Sequence, residues 1–185
     1  MSEKRLFTLI VIILSAALFR LVPHPPNFTP AVGVALFSGA LLSDKRLALA
    51  VVFVSMLLSD FFLGFHTTMP VVYLSLALIA WFSSPSLARG QTLPLVLAAL
   101  TSSVFFFAIT NAGVWLLQDL YPKSLPGLIA CYTAALPFFK NSLIGDILYT
   151  LILFGGFFVL GRYSPGSPAR PERTYAKRYG YRGNL

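Results

Sequence analysis

Residues 55–65 read SMLLSDFFLGF, and in that stretch a carboxylate, Asp60, stands among leucines and phenylalanines with no cation beside it. In a water-soluble core such a group needs a buried partner, and inside a bilayer leaving it unpaired costs several kcal/mol. The solvent in which this stretch folds therefore decides the fold. The chain has 185 residues, 57 % of them hydrophobic and 11 % charged, with a mean hydropathy of +0.78. Soluble domains carry about a quarter charged residues, so the chain reads as an all-α integral membrane protein. A transmembrane helix needs about 20 apolar residues, which leaves room for about six spans and little else.

Several function classes drop out. Cys131 is the only cysteine, so no internal disulfide forms. The chain has no GxxxxGK[ST], HExxH or GxSxG motif and no metal-finger spacing, so nucleotide hydrolysis and the common hydrolase chemistries have no anchor. No enzyme activity, cofactor or metal site is expected.

Apolar runs place the spans at Leu6–Val22, Ala31–Leu42, Leu47–Gly64, Pro70–Phe82 and Leu93–Leu117. Pro30 suits the first position of the second helix, with Asn27 or Thr29 as its cap. The sixth region is compound: Leu125–Leu136 reads as a short helix or re-entrant segment ended by Pro137, and Phe138–Leu160 as a full span. Ser15–Ala17 (SAA) behind Lys4 and Arg5 also fits a cleaved signal peptide, which an intact N-terminus by mass spectrometry would exclude.

Charge orients the bundle, because Lys and Arg collect on the cytoplasmic side. With both ends inside, the cytoplasmic segments hold Lys4, Arg5, Lys45, Arg46, Arg89 and the tail cations from Arg162 to Arg182, and the outer segments hold Lys123 alone. The expected architecture is six transmembrane helices over 1–162, N-in and C-in, in a bacterial inner membrane, with a basic tail at 163–185. That tail, rich in Pro, Gly and Arg, reads as a disordered anchor for anionic lipid rather than a nucleic-acid binder.

Orientation then places Arg20, Asp60, Asn111 and Asp146 in the outer half of the membrane, with Asn27, Lys140 and Asn141 at its outer edge. Ionisable groups at that depth usually face a bundle interior or a water-filled cavity. Ser142, Asp146 and Tyr149 share one face of the sixth helix, and Phe107, Asn111, Trp115 and Gln118 share one face of the fifth. Aromatic walls with a few hydrogen-bonding groups describe a small-molecule site, for which Arg20, Asn27, Asp60, Asn111, Trp115, Asn141, Asp146 and Tyr149 are the candidates. The competing account makes Arg20 the partner of Asp60 or Asp146 and Asn111 a bridge between helices. His24 and His66 read as interfacial loop residues rather than metal ligands, and Cys131 as packing. Ala31, Ala35 and Gly39 form a small-residue ridge that serves either packing within the bundle or docking of a partner membrane protein.

The stretches RLVPHPPNFTPAVGVALFSGALLSDKRLALAVVFVSMLLSDFFLG, FFAITNAGVW and YPKSLPGLIACYTAALPFFKNSLIGDILYTLILFG resemble an uncharacterised family of small bacterial inner-membrane proteins. That family is similar to the S-components of energy-coupling factor (ECF) vitamin transporters. The resemblance implies a substrate-binding uptake protein whose outer loops cover a vitamin-sized ligand and which docks on a transmembrane coupling subunit working with ABC ATPases. It also implies that Ala31, Ala35 and Gly39 serve as the docking ridge, although the alanine motif of S-components lies in their first helix, where this chain offers Ala16 and Ala17. By chemistry, Arg20 would pair with an acidic ligand group or lock an acid, Asp60 and Asp146 would accept hydrogen bonds, Asn111 would orient the ligand and Trp115 would stack on it. An accessory subunit of a larger membrane complex, with no ligand of its own, is the alternative.

Overall fold

A computed structural model describes the backbone of residues 3–163 and the side chains of 11–159. The basic tail beyond Tyr163, and the side chains of Lys4 and Arg5, lie outside the described residues. The described chain is all-α: α1 (Glu3–Leu21), α2 (Ala31–Leu41), α3 (Lys45–Leu63), α4 (Met69–Phe82), a 3-10 turn (Pro85–Arg89), α5 (Thr92–Leu117) and α6 (Leu125–Tyr163).

Local chemistry sets most of the boundaries. Asp44 caps α3 by accepting from Arg46 N at 2.9 Å, and Pro70 occupies the first turn of α4, where no N–H is needed. Gly64 ends α3 at φ 97°, a conformation that favours glycine, while its N–H bonds Asp60 O at 2.8 Å. The start of α2 differs from expectation. Pro30 stands before the helix rather than in it, and no side chain caps the first turn. Asn27 instead turns the chain at φ 63°, the left-handed region that asparagine tolerates.

Pro137 does not break α6. The helix runs unbroken for 39 residues, so the short or re-entrant segment expected before Pro137 is part of one long helix. Packing on α5 accounts for this. Phe107 stacks on Tyr132 before the proline, centroids 5.6 Å apart, and on Phe139 after it, at 4.5 Å. Contacts on both sides hold the axis while the proline forfeits one backbone hydrogen bond, a loss that membrane helices tolerate when neighbours support them.

The helices alternate in direction. Gly33 lies against Thr150 and Phe37 against Phe154, so α2 and α6 run parallel. Asp60 meets Tyr73 while Lys45 reaches Ser83, so α3 and α4 run antiparallel. At the centre is α2, in contact with each of the other five helices and buried from Val32 to Ala40. A helix apolar all round belongs in such a position.

The ridge of small residues is consumed here. Ala35 is fully buried, and a Cβ on Gly39 would stand 2.1 Å from Ala80 O on α4. A docking face must be reachable from outside, so Ala35 and Gly39, with the half-buried Ala31 above them, pack α2 within the bundle instead. Large apolar side chains such as Leu18, Phe61, Phe82 and Leu93 point outward. Lys45–Leu63, Thr92–Leu117 and Leu125–Val159 are each long and apolar enough to cross a membrane, and Val11–Leu21, Ala31–Leu41 and Met69–Phe82 are shorter apolar helices. The chain thus has the build of a membrane-associated protein.

Candidate functional site

Asp60 is 1 % exposed, and both of its carboxylate oxygens are taken. From α1, Arg20 Nη2 meets Oδ1 at 2.8 Å. From α4, the Tyr73 hydroxyl donates to Oδ2 at 2.8 Å. The second guanidinium nitrogen of Arg20 donates to the Ser59 hydroxyl and lies 3.2 Å from Met56 Sδ. Three helices are thereby tied at one point. Removing one member of a buried ion pair typically costs about 3–5 kcal/mol, because the remaining charge stays buried.

The other buried candidate acid is built differently. Asp146 is 3 % exposed and accepts from the Ser103 hydroxyl on α5. Neither α2 nor α5, the helices packed around it, carries an Asp, Glu, Lys, Arg or His. Phe28 packs on Gly145 and Gly33 on Thr150, so the uncapped first turn of α2 begins beside Asp146. A helix N-terminus favours a carboxylate by about 0.3–1 kcal/mol, well short of what burying the charge costs. One turn further along α6, Thr150 is fully buried, and its Oγ1 is the buried side-chain oxygen with no hydrogen-bond partner among the described residues.

The loop between α1 and α2 lies over this region. The ring of Phe28 stacks on Tyr149 at 5.5 Å, Phe19 reaches Tyr149 at 5.7 Å, and Asn141 Nδ2 donates to Pro26 O at 3.1 Å. Asn27, at the tip of this loop, is exposed. The stripe on α5 is used for packing and capping. Asn111 Nδ2 turns back to Phe107 O at 2.8 Å, and Trp115 Nε1 donates to Pro122 O at 2.9 Å. Lys123 caps the last turn of α5 through the carbonyls of Trp115 and Gln118. Cys131 is buried with its Sγ 3.6 Å from Asn111 O. No group of three or more His, Cys, Asp or Glu side chains gathers among the described residues.

The structure therefore joins Arg20 to Asp60, and Asn141 and Tyr149 to the α1–α2 loop, while Asp146 stands apart from Arg20 with Ser103. Sequence reasoning missed Tyr73, Ser59, Ser103, Thr150 and Phe28. For two of these a signal existed: Ser103 precedes Phe107, Asn111 and Trp115 at the same spacing of four, and Thr150 follows Asp146 by four. It missed Lys45 as well, whose ammonium reaches Gly39 O at 2.7 Å and Ser83 O at 2.9 Å at the opposite end of the bundle. A cavity of about 380 Å³ opens near that end between α2, α4, the 3-10 turn and α5, bordered by Leu36, Phe82, Ser83, Thr101 and Phe105. An apolar groove also runs along the first turns of α6, from Leu125 to Ala134. Neither is lined by a residue of the candidate set.

Residues 1–168 match the model described as "Family of unknown function (DUF6580)", and the chain belongs to that family. No curated protein and no solved structure matches the chain.

Proposed function

We propose that this family member is a small-molecule uptake protein of S-component type: six transmembrane helices, N-in and C-in, in a bacterial inner membrane, taking a vitamin-like ligand from the outer side. The observation that carries this reading is the α1–α2 loop. It lies across α6 over a buried, cation-free carboxylate, and one side-chain hydrogen bond, from Asn141 to Pro26 O, joins it to α6 beside two aromatic contacts. Such a segment opens at small cost and closes over a guest, as the outer loops of S-components do over a vitamin. Asp146, Tyr149, Asn141 and Asn27 are then the nearest ligand contacts, with Asn111 and Trp115 further toward the α5–α6 turn. Arg20 and Asp60 act as the lock behind them, since the Arg20 guanidinium is engaged by Asp60 and Ser59. A transmembrane coupling subunit with ABC ATPases would energise uptake through a surface other than the ridge on α2.

The test is a thermal-shift screen of purified protein against a broad panel of vitamins and metabolites. At least one compound is expected to raise Tm, and Tyr149→Ala with Asn141→Ala is expected to weaken that compound by about tenfold or more, since each loses a packing or hydrogen-bonding contact. A panel in which no compound shifts Tm, together with co-purification of a respiratory or envelope complex instead of an ATPase pair, overturns the reading. The accessory-subunit reading draws on the internal pairing of Arg20 with Asp60, which leaves that cluster acting as glue between helices.

A further inference from the structure

The geometry points to a sodium-ion site between α5 and α6, formed by Asp146, Ser103 and Thr150, whether or not the chain binds an organic ligand. Two independent observations meet there. The first is charge: Asp146 is buried with one hydroxyl donor, and the neighbouring α2 and α5 hold no ionisable side chain. Of the remaining charged groups, Arg20 is committed to Asp60, and Lys140 is exposed on α6.

The second is Thr150. Hydroxyls inside helices commonly bond a carbonyl three or four residues earlier, as Ser55, Ser75, Thr110 and Thr133 do here. Thr150 makes no such bond although it is fully buried. Thr150 lies one turn from Asp146 on the same side of α6, and its hydroxyl oxygen is shut off from solvent with no partner among the described residues. A buried polar atom left so is costly unless something binds it.

A hard cation with oxygen ligands satisfies both groups at once. Ser103 donates its proton to Asp146 and keeps its lone pairs for a cation, and the Thr150 oxygen supplies another ligand. The charge must be one, because a single carboxylate facing a divalent ion would leave a net positive charge buried. Gly33 packs the α2 backbone tightly against α6, a Cβ there standing 3.1 Å from Thr150 N, and close packing of this kind favours the smaller sodium ion over potassium.

Protein purified without sodium is to be titrated with NaCl against KCl and choline chloride at constant ionic strength, following Tm and the equilibrium binding of radioactive sodium. Sodium is expected to raise Tm saturably by a few degrees and to bind one ion per chain. Thr150→Val, which keeps the shape of the side chain and so the fold, is expected to weaken sodium binding at least tenfold, and Asp146→Asn to abolish it. An equal response to all three salts, or sodium binding unchanged in Thr150→Val, overturns the site. A stabilisation that follows pH and not sodium also overturns it, making the group a proton site. None of these readouts uses an organic ligand, so failure of the uptake reading leaves the result standing.

Discussion

Asp60 and Asp146 are both buried aspartates on helices of one bundle, yet they are held in opposite ways. Around Asp60, three helices supply a guanidinium, a phenol and a supporting hydroxyl, and both carboxylate oxygens are occupied. Around Asp146 there is one hydroxyl, the start of a helix and a second hydroxyl left unbonded. A charge closed off by its own protein acts as a fastener. A charge left with a single donor retains capacity for something else, and the two positions should therefore answer substitution differently.

The largest effect is expected at the fastener. Arg20→Ala leaves Asp60 charged and buried, and should lower the unfolding free energy by about 3–5 kcal/mol, measured by denaturation in detergent micelles. Combining Arg20→Met with Asp60→Leu should recover most of that loss, since an apolar pair of similar volume often replaces a buried ion pair without penalty. A double variant whose loss equals the sum of the two single losses would show that the two side chains are not coupled.

Tyr73→Phe comes next. It strips one donor from Asp60 Oδ2 and should cost about 1.5–3 kcal/mol, the usual worth of a hydrogen bond to a charged group. The smallest loss is expected at Asp146. In sodium-free buffer, Asp146→Asn removes a buried charge that has no counter-charge beside it and keeps an acceptor for Ser103, so stability should hold or rise rather than fall. If that substitution proved as costly as Arg20→Ala, the contrast between the two acids would be broken.

Much of this fold could be read from the residues. The first five helices lie within a few residues of the bounds that apolar runs, prolines and polar breaks mark, and the sequence narrows the pairing of Arg20 to two acids. What escaped depends on azimuth, the direction in which each helix face points. Four residues turn a helix by about 400°, so the stripe from Ser103 to Trp115 slews steadily. Its start, Ser103, reaches Asp146 while its end, Trp115, reaches Pro122. Spacing alone put Asn111 and Trp115 in the candidate site and left Ser103 out. The continuity of α6 through Pro137 was equally illegible, because it rests on Phe107, a residue of another helix. The small residues of α2 were recognised as an approach surface, but the sequence does not say which helix approaches, and Ala80 of α4 is the answer.

The central position of α2 has a consequence for how the bundle is made. With 11 residues it extends about 16 Å, roughly half the hydrocarbon thickness of a bilayer. A segment so short lacks the apolar length to be recognised and inserted alone. It depends on its neighbours for its seat, packing against α3, α4, α5 and α6 as well as α1. Its final seat, with Phe37 edge-on to Phe154, exists only after α6 has been synthesised. Assembly then cannot finish helix by helix in chain order: the second helix to leave the ribosome waits for the last one before its own surroundings are complete.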